Sequence, residues 1–377
     1  MTETLEIQDF LLWKKLQNKR VPLSFDFEIT ARCNMSCRHC YINLPAGDRE
    51  VRARELTVPQ IIDIGRQAVD MGAMWCLLTG GEPLLRTDFA EIYLELKRLG
   101  LLVSVFTNAT LISDAHMELF NKYPPRDIEV TVYGVTRHVY EAVTCISGSF
   151  DRFMNGLNKL QENGVRIRLK TMAIQSNLDQ QREISAFCRS RTKDFFRFDP
   201  QLHLRFDGDS VRNEEIRAER LTPEQIVALE EADEKRISAM RKSCDTLINE
   251  QFTHRGDDHL FHCGAGKNSF VVSYDGRFRL CQSLCAEGTT FDLKRGTLAE
   301  AWYDFVPQVR GMRSQRKEFL QTCRKCALFN ICLWCPAHAH LETGRLDGST
   351  PYFCEVAHRR AKSIKTAHGN EGPAPFR

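Results

Sequence analysis

The sequence has 377 residues, of which 42% are hydrophobic and 27% are charged. A chain of this length is expected to form one large domain with a smaller one attached. Lysine and arginine number 52 and aspartate and glutamate 49, so a net charge of +3 argues against a nucleic-acid partner. No apolar run is long enough to cross a bilayer and no secretory signal opens the chain, so we expect a cytoplasmic protein without a membrane partner.

Cysteine is unusually frequent, with 15 residues. In a reducing compartment an odd and large set of thiols is unlike a disulfide framework. Thiolates are soft ligands that suit iron–sulfur clusters or zinc. The composition therefore predicts metal or cluster binding.

The predicted elements alternate between strands and helices after a short amphipathic helix over residues 8–18. Apolar alternation predicts strands at 23–30, 75–79, 101–108, 127–134, 165–174 and near 200–206. Helical periodicity is found at 58–72, 87–100, 113–122, 149–163 and near 179–190. Six β-then-α units predict an α/β fold with a parallel sheet, namely a partial (β/α)6 barrel that is open along one side.

The pattern changes after residue 212. A charged stretch over 219–244 predicts a helical bridge, and Asp275-Gly276 predicts the turn of a β-hairpin in a small Cys-rich domain. The last residues are basic and then rich in glycine and proline, which is typical of a solvated tail. We therefore predict an N-terminal helix (1–22), a barrel (23–212), a helical bridge (213–262), a Cys-rich domain (263–355) and a flexible basic tail (356–377).

The first cysteine motif is ARCNMSCRHCYI, in which Cys33, Cys37 and Cys40 have the spacing C-x3-C-x2-C. Three thiolates on one loop can bind three irons of a cubane cluster and leave the fourth iron open to a small molecule. The alternative is a zinc site to which His39 supplies the fourth ligand. The spacing favours the cluster.

Followed by the aromatic Tyr41 at the end of the first predicted strand, this motif resembles the defining motif of the radical S-adenosylmethionine (SAM) superfamily. The second predicted strand ends in a segment similar to the GGEP motif, which binds the SAM amino group in that family: Thr79, Gly80, Gly81, Glu82 and Pro83. Glycines let the backbone approach a ligand, and a carboxylate complements an ammonium group. Thr107-Asn108 ends the third strand like the family's TNG element, with Ala109 in place of the glycine.

The resemblance covers roughly residues 23–212 and implies a [4Fe-4S] cluster and SAM as cofactors, with an electron donor such as flavodoxin or ferredoxin. It implies reductive cleavage of SAM to a 5′-deoxyadenosyl radical, which abstracts hydrogen from a substrate. Active residues are expected at the carboxyl ends of the strands. Candidates there for SAM or substrate contacts are Tyr133, Lys170, Thr171 and Asn177, and positional candidates for catalysis are Tyr133, His203, Asp207, Asp209 and Gln282.

Seven later cysteines resemble the SPASM domain, a C-terminal extension that binds auxiliary [4Fe-4S] clusters in radical SAM enzymes. The resemblance implies two clusters, one on Cys323, Cys326, Cys332 and Cys354 and the other on Cys263, Cys281 and Cys335. The central run ends in C-x2-C where the family has C-x3-C. The second cluster lacks an obvious fourth ligand, for which Cys285, Cys244 or an open position are the options. Zinc is the alternative occupant of C-x2-C pairs. Cys76, Cys145 and Cys188 are predicted to be small core residues.

Many proteins with this architecture modify peptides or proteins, so the leading prediction is radical crosslinking, oxidation or epimerisation of a peptide or protein side chain. Gln282 stands where sulfatase-maturating members have an aspartate base, which argues against that reaction. The 22 residues before the first strand are too few for a leader-binding domain, so we expect a separate leader-binding protein or a leaderless substrate. The alternatives are a small-molecule substrate such as a tetrapyrrole, and a non-catalytic electron-transfer protein, against which the GGEP-like segment argues.

Overall fold

The computed structural model describes residues 19–194, 196–244, 248, 258–332 and 334–368. The helix predicted over 8–18 lies outside these residues. No helix in these ranges is both long and apolar enough to traverse a lipid bilayer.

The described chain is built around one central sheet and a two-stranded ribbon beside it. The strands are β1 (Ser24–Thr30), β2 (Arg32–Cys33), β3 (Leu44–Pro45), β4 (Trp75–Gly80), β5 (Leu102–Thr107), β6 (Ile128–Thr131), β7 (Ile167–Met172), β8 (Arg197–Asp199), β9 (Ser269–Val272), β10 (Arg277–Arg279) and β11 (Thr290–Asp292). The central sheet has the order β11-β10-β9-β1-β4-β5-β6-β7-β8.

Helices alternate with the strands through the first half and dominate the second. They are α1 (Arg49–Arg54), α2 (Val58–Asp70), α3 (Phe89–Arg98), α4 (Asp114–Lys122), α5 (Arg137–Thr144), α6 (Ser149–Glu162), α7 (Gln181–Arg191), α8 (Ser210–Glu219), α9 (Pro223–Ala232), α10 (Glu234–Lys242), α11 (Leu298–Glu300), α12 (Val306–Arg310), α13 (Lys317–Gln321), α14 (Phe329–Cys332), α15 (Pro336–Thr343) and α16 (Pro351–His368).

Six strands, β1 and β4 to β8, run parallel to their neighbours, and this confirms the predicted partial (β/α)6 barrel. Strand β1 shows why the sheet has two different faces. Phe25, Phe27 and Ile29 are buried in the hydrophobic core. Because side chains alternate along a strand, Asp26 and Glu28 point to the opposite face, which is the interior of the barrel.

The predicted hairpin at Asp275-Gly276 is confirmed, since β9 and β10 pair antiparallel and Gly276 has a φ of +85°. The position of this hairpin in the fold was not predicted from the sequence. Strand β9 pairs in parallel with β1, in the register Phe25 to Phe270, so the Cys-rich region extends the barrel sheet itself. The two rings stack with centroids 5.3 Å apart.

Two predicted elements differ from the structure. The last barrel strand is Arg197–Asp199, not 200–206, because Pro200 follows it and proline has no N–H to donate to a sheet. The bridge predicted as one helix over 219–244 is broken. Thr222 caps α9 ahead of Pro223, and Asp233 accepts from the Arg236 amide at the start of α10.

The prediction of a flexible tail from residue 356 is wrong through His368, because α16 is a packed helix. Ala357, Ala361 and Ile364 are buried along one face. On the same face Arg360 binds the buried Glu230 carboxylate of α9, at 2.9 and 2.7 Å. The sequence prediction missed this apolar face because basic residues are interspersed with it. Residues 369–377 lie outside the described chain.

Candidate active site

A cavity of about 310 Å³ lies at the carboxyl ends of the barrel strands. The structure brings thirteen of the predicted site residues to its wall: Cys33, Cys37, Cys40, Tyr41, Thr79, Gly80, Gly81, Thr107, Asn108, Tyr133, Lys170, His203 and Gln282. Other candidates from the sequence do not line it: Glu82, Pro83, Thr171, Asn177, Asp207 and Asp209.

The cysteine loop is held by polar side chains that bind its backbone. The Asn43 amide donates to the carbonyls of Met35 and Cys37, both at 3.4 Å. Arg212 donates to the Cys37 carbonyl at 2.9 Å, and Arg205 to the Cys40 carbonyl at 3.3 Å. Neither arginine was predicted from the sequence, since both lie more than 160 residues further along the chain.

The three thiols of the cysteine loop, Cys33, Cys37 and Cys40, all line one cavity. Three thiolates on one cavity can bind three irons of a cubane cluster. Burial raises the pKa of Cys33 to about 12, so its thiol stays protonated at neutral pH until a metal binds the thiolate.

The two-glycine turn after β4 lies directly against the cysteine loop. The Gly81 amide donates to the Thr30 carbonyl at 2.7 Å, and the Glu82 amide to the Arg32 carbonyl at 2.9 Å. A Cβ atom on Gly80 would be 2.0 Å from the Thr30 oxygen, and one on Gly81 would be 2.3 Å from the Arg32 oxygen. Both glycines are therefore required for the backbone to come this close.

The Glu82 carboxylate accepts three hydrogen bonds from groups of the protein. It accepts from the Leu84 amide at 3.0 Å, from the Thr107 hydroxyl at 2.8 Å and from the Asn108 amide at 2.8 Å. Burial raises its pKa to about 7. In this structure Glu82 joins the end of β4 to the end of β5 and orients Asn108, whose side-chain amide lies 3.8 Å from the Cys33 sulfur.

Two basic side chains, Lys170 and Arg197, also line the cavity. The Lys170 ammonium lies 2.6 Å from the Glu129 carboxylate and 4.1 Å from the centre of the Phe106 ring. Burial lowers the pKa of Lys170. Arg197, at 3.8 Å, shares the same carboxylate, and Asp199 follows it on β8 at the cavity wall.

Aromatic and imidazole rings connect the cavity to the Cys-rich region. Tyr41 and His203 lie with ring centres 4.3 Å apart, and His203 and His338 of α15 are 5.4 Å apart. Burial lowers the pKa of His203 to about 3, so its imidazole is neutral. Gln282, which follows Cys281, donates to the Asp26 carboxylate at 3.2 Å.

The remaining candidates have roles outside the cavity. Asp207 pairs with Arg205, which in turn holds the cysteine loop. Asp209 caps α8, and the Asn177 side chain accepts from the Ile174 amide and donates to the Tyr133 carbonyl.

His39, considered from the sequence only as a zinc ligand, lines the cavity beside Tyr133, with ring centres 5.1 Å apart. Its buried Nδ1 has no hydrogen-bond partner within the described chain, and burial lowers its pKa to about 4. A neutral ring with a free nitrogen on the cavity wall can contact a planar ligand.

The later cysteines form two groups. Burial raises the pKa of Cys335 to about 11, and Cys281 and Cys263 are close enough to add to the rise. Burial likewise raises the pKa of Cys332 to about 12, with Cys354, Cys326 and Cys323 as its thiol neighbours.

Of the two cysteines considered as a fourth ligand beside Cys263, Cys285 is a neighbour of Cys281. Cys244 instead belongs to a hydrophobic cluster against which Cys332 of the other group packs. Cys76 and Cys188 are buried as predicted. The prediction of a core position for Cys145 is wrong. It is exposed, at the left-handed residue that ends α5.

One segment of the chain matches a known protein family. Residues 27–184 match the model of the Radical SAM superfamily. The matched segment runs from β1 into α7 and contains the cysteine loop and the two-glycine turn. This segment of the chain is therefore a radical SAM domain.

Among curated relatives, the chain is 23% identical over 322 residues to the antilisterial bacteriocin subtilosin biosynthesis protein AlbA of Bacillus subtilis. That match covers 84% of this chain and 67% of AlbA. The AdoMet-dependent heme synthase of Methanosarcina barkeri is 28% identical over 159 residues, covering 42% of this chain and 45% of the synthase. The chain thus spans less than half the length of that relative.

Two kinds of solved structure share the fold. Streptococcus suis SuiB bound to S-adenosylmethionine superposes with a TM-score of 0.65 at 18% identity, covering 91% of this chain and 77% of SuiB. The anSMEcpe structure with bound AdoMet has a TM-score of 0.62 at 13% identity, covering 93% of this chain and 96% of that one. Both alignments extend beyond the barrel into the Cys-rich region.

Proposed function

We propose that this chain is an enzyme that binds SAM at a [4Fe-4S] cluster held by Cys33, Cys37 and Cys40 and modifies a side chain of a peptide or protein by radical chemistry. The observation that carries the proposal is the shared cavity, where these thiols meet the two-glycine turn, Asn108 and the Cys-rich region. The bound cluster would supply the electron that cleaves the sulfonium carbon–sulfur bond and yields the 5′-deoxyadenosyl radical.

The chain's own residues bind and orient the amino-acid end of SAM. Gly80 and Gly81 bring bare backbone to the cavity wall, where carbonyl oxygens can accept from the SAM ammonium group. The charged Lys170 suits a carboxylate, although its pairing with Glu129 leaves only part of that charge available. Glu82 does not line the cavity and acts indirectly, by orienting Asn108.

The nucleoside end of SAM is assigned to the wall formed by His39 and Tyr133. The free Nδ1 of His39 offers a hydrogen bond to a base edge, and the tyrosine ring beside it offers stacking surface. Enclosing the reacting carbon in this buried site would keep water and competing hydrogen donors away from the radical.

A peptide or protein substrate is supported by the relatives. The match to AlbA covers most of this chain, SuiB has been solved with the precursor peptide SuiA, and anSMEcpe with a Kp18Cys peptide. The grouping of the later cysteines supports two auxiliary [4Fe-4S] clusters of the SPASM type. A flavodoxin or ferredoxin as electron donor and a separate leader-binding protein belong to the same proposal.

The test is SAM cleavage by the purified protein. We expect anaerobically reconstituted and reduced protein to form 5′-deoxyadenosine from SAM, measured by liquid chromatography and mass spectrometry. The triple variant Cys33→Ala, Cys37→Ala and Cys40→Ala should form none, whereas the buried Cys76→Ala control should retain the activity. No 5′-deoxyadenosine from the reduced wild type would overturn the proposal and favour an electron carrier.

A small molecule such as a tetrapyrrole is the second candidate substrate. It is supported by the similarity to AdoMet-dependent heme synthases, which is confined to less than half of this chain. The two candidates can be distinguished by testing which compound, a haem precursor or a peptide, increases 5′-deoxyadenosine formation and changes in mass.

A further inference from the structure

A second groove, of about 620 Å³, lies on the outer side of β8. We call it the β8 groove and define it by Phe196, Phe198, Met240, Ile331, Lys193 and Lys235. The two phenylalanines are almost fully buried and supply an apolar floor, and the two lysines are exposed. A volume of this size accommodates one or two large side chains of a ligand.

The β8 groove and the active cavity share one lining residue. Arg197 of β8 lines both, while Asp199, two residues further on, faces the cavity alone. In the described part of the chain β8 is the last strand of the sheet and pairs only with β7. An edge strand beside an apolar groove is a recurrent place for an extended peptide to bind.

The net positive charge of the β8 groove favours an acidic ligand. Of the residues that the structure describes, six basic and three acidic side chains line it, an excess of three positive charges. The three acids are already engaged: Glu230 with Arg236 and Arg360, Asp233 with Arg189, and Asp194 with Arg166. Lys193 and Lys235 make no ion pair within the described residues, so their charges are available to a ligand.

We infer that the β8 groove binds an acidic segment of the peptide substrate, with an aromatic or aliphatic anchor on Phe196 and Phe198, and directs the following residue past Arg197 into the active cavity. This inference rests on the proposed function and specifies its substrate class. Apolar burial supplies affinity, and the unpaired lysines supply selectivity for acidic over basic segments.

The experiment measures the binding of two fluorescein-labelled peptides of equal length, Asp-Glu-Leu-Asp-Phe-Glu-Asp and its counterpart with lysine at every acidic position. Fluorescence anisotropy is recorded with the reconstituted full chain, with the Lys193→Glu/Lys235→Glu variant, and with a Lys122→Glu/Lys317→Glu control of the same net charge. Neither control lysine lines the β8 groove. 5′-Deoxyadenosine formation without peptide is measured for each protein.

We expect the wild type to bind the acidic peptide at least tenfold more tightly than the basic one, with affinity falling as salt rises. The Lys193→Glu/Lys235→Glu variant should lose at least tenfold in affinity and the control less than twofold, with SAM cleavage unchanged in both. Equal binding of the two peptides, an equal loss in variant and control, or displacement of the acidic peptide by an equally charged single-stranded oligonucleotide would overturn the inference. If neither the wild type nor either variant cleaves SAM, the result contradicts the proposed function rather than this inference.

Discussion

At the scale of single residues, the half-buried carboxylate of Asp26 is one group whose protonation should affect stability. It accepts a hydrogen bond from Gln282, which lines the active cavity. Burial, together with the neighbouring Glu28, raises its pKa from 3.8 to about 6. The folded protein therefore binds this proton more tightly than the unfolded chain does.

The sign of the pH dependence follows from that difference. Below pH 3.8 both states are protonated and Asp26 costs nothing; between 3.8 and about 6 the folded state keeps its proton while the unfolded state loses it, so stability falls as pH rises. Above pH 6 the full cost applies, about 3 kcal/mol for a shift of about two pH units.

We predict that Asp26→Asn stabilises the apo-protein at pH 8 by about 2–3 kcal/mol and much less at pH 4.5, because the amide keeps an acceptor for Gln282 and removes the partly desolvated charge. Thermal melting of both proteins at the two pH values measures this. A difference in melting temperature that is the same at both pH values would contradict the assignment to Asp26.

The residues that line the cavity could be predicted from the sequence where they belong to a recognisable motif. Cys33, Cys37, Cys40, Gly80 and Gly81 were all identified from spacing or resemblance, and they share one wall. The role of Glu82 was not. Its carboxylate binds three donors from β5 and its own turn, and no local sequence pattern shows which donors a buried acid will meet.

At the scale of elements, the turn after β4 depends on its glycines. We predict that Gly81→Ala destabilises the protein by about 3 kcal/mol or more and lowers iron incorporation at the first cysteine motif, because the added methyl would overlap the backbone oxygens of Arg32 and Ala31. Melting temperature and iron content report the two effects.

The matched control is Gly47→Ala, where nothing lies within 4 Å of the added carbon. It should melt within a degree or two of the wild type. Equal behaviour of the two variants would show that the close approach of β4 to the cysteine loop is not required.

Helix α16 offers a second element-scale prediction. Arg360→Ala should destabilise the protein by about 3 kcal/mol, because it removes one of the two cations that pair with the buried Glu230 among the described residues, the other being Arg236. Arg359→Ala removes ion pairs to Glu224 and Glu355 that are exposed to water, and should not move the melting temperature measurably. If Arg359 mattered as much as Arg360, α16 would not be anchored as described.

At the scale of the whole molecule, the later cysteines lie in two groups, one around Cys335 and the other around Cys332. We predict about twelve irons and twelve sulfides per reconstituted chain, falling to about eight in Cys335→Ser and to about eight in Cys323→Ser, since each change disables one [4Fe-4S] site. Chemical iron and sulfide analysis gives the numbers.

The double variant should retain about four irons, and Cys76→Ala should retain all twelve. About four irons together with bound zinc in the wild type would instead assign the later cysteines to zinc. Adding Cys285→Ser tests whether the neighbour of Cys281 completes the site beside Cys263.

Sequence alone determined the parallel barrel, the hairpin at Asp275-Gly276 and the cysteine loop, because hydrophobic periodicity, turn chemistry and ligand spacing are local properties of the chain. Only the tertiary structure decided that β9 extends the barrel beside β1, that Arg205 and Arg212 hold the cysteine loop, and that α16 is a buried helix. Each of these depends on contacts between residues far apart in the chain, and such contacts follow from how the elements pack rather than from any short stretch of sequence.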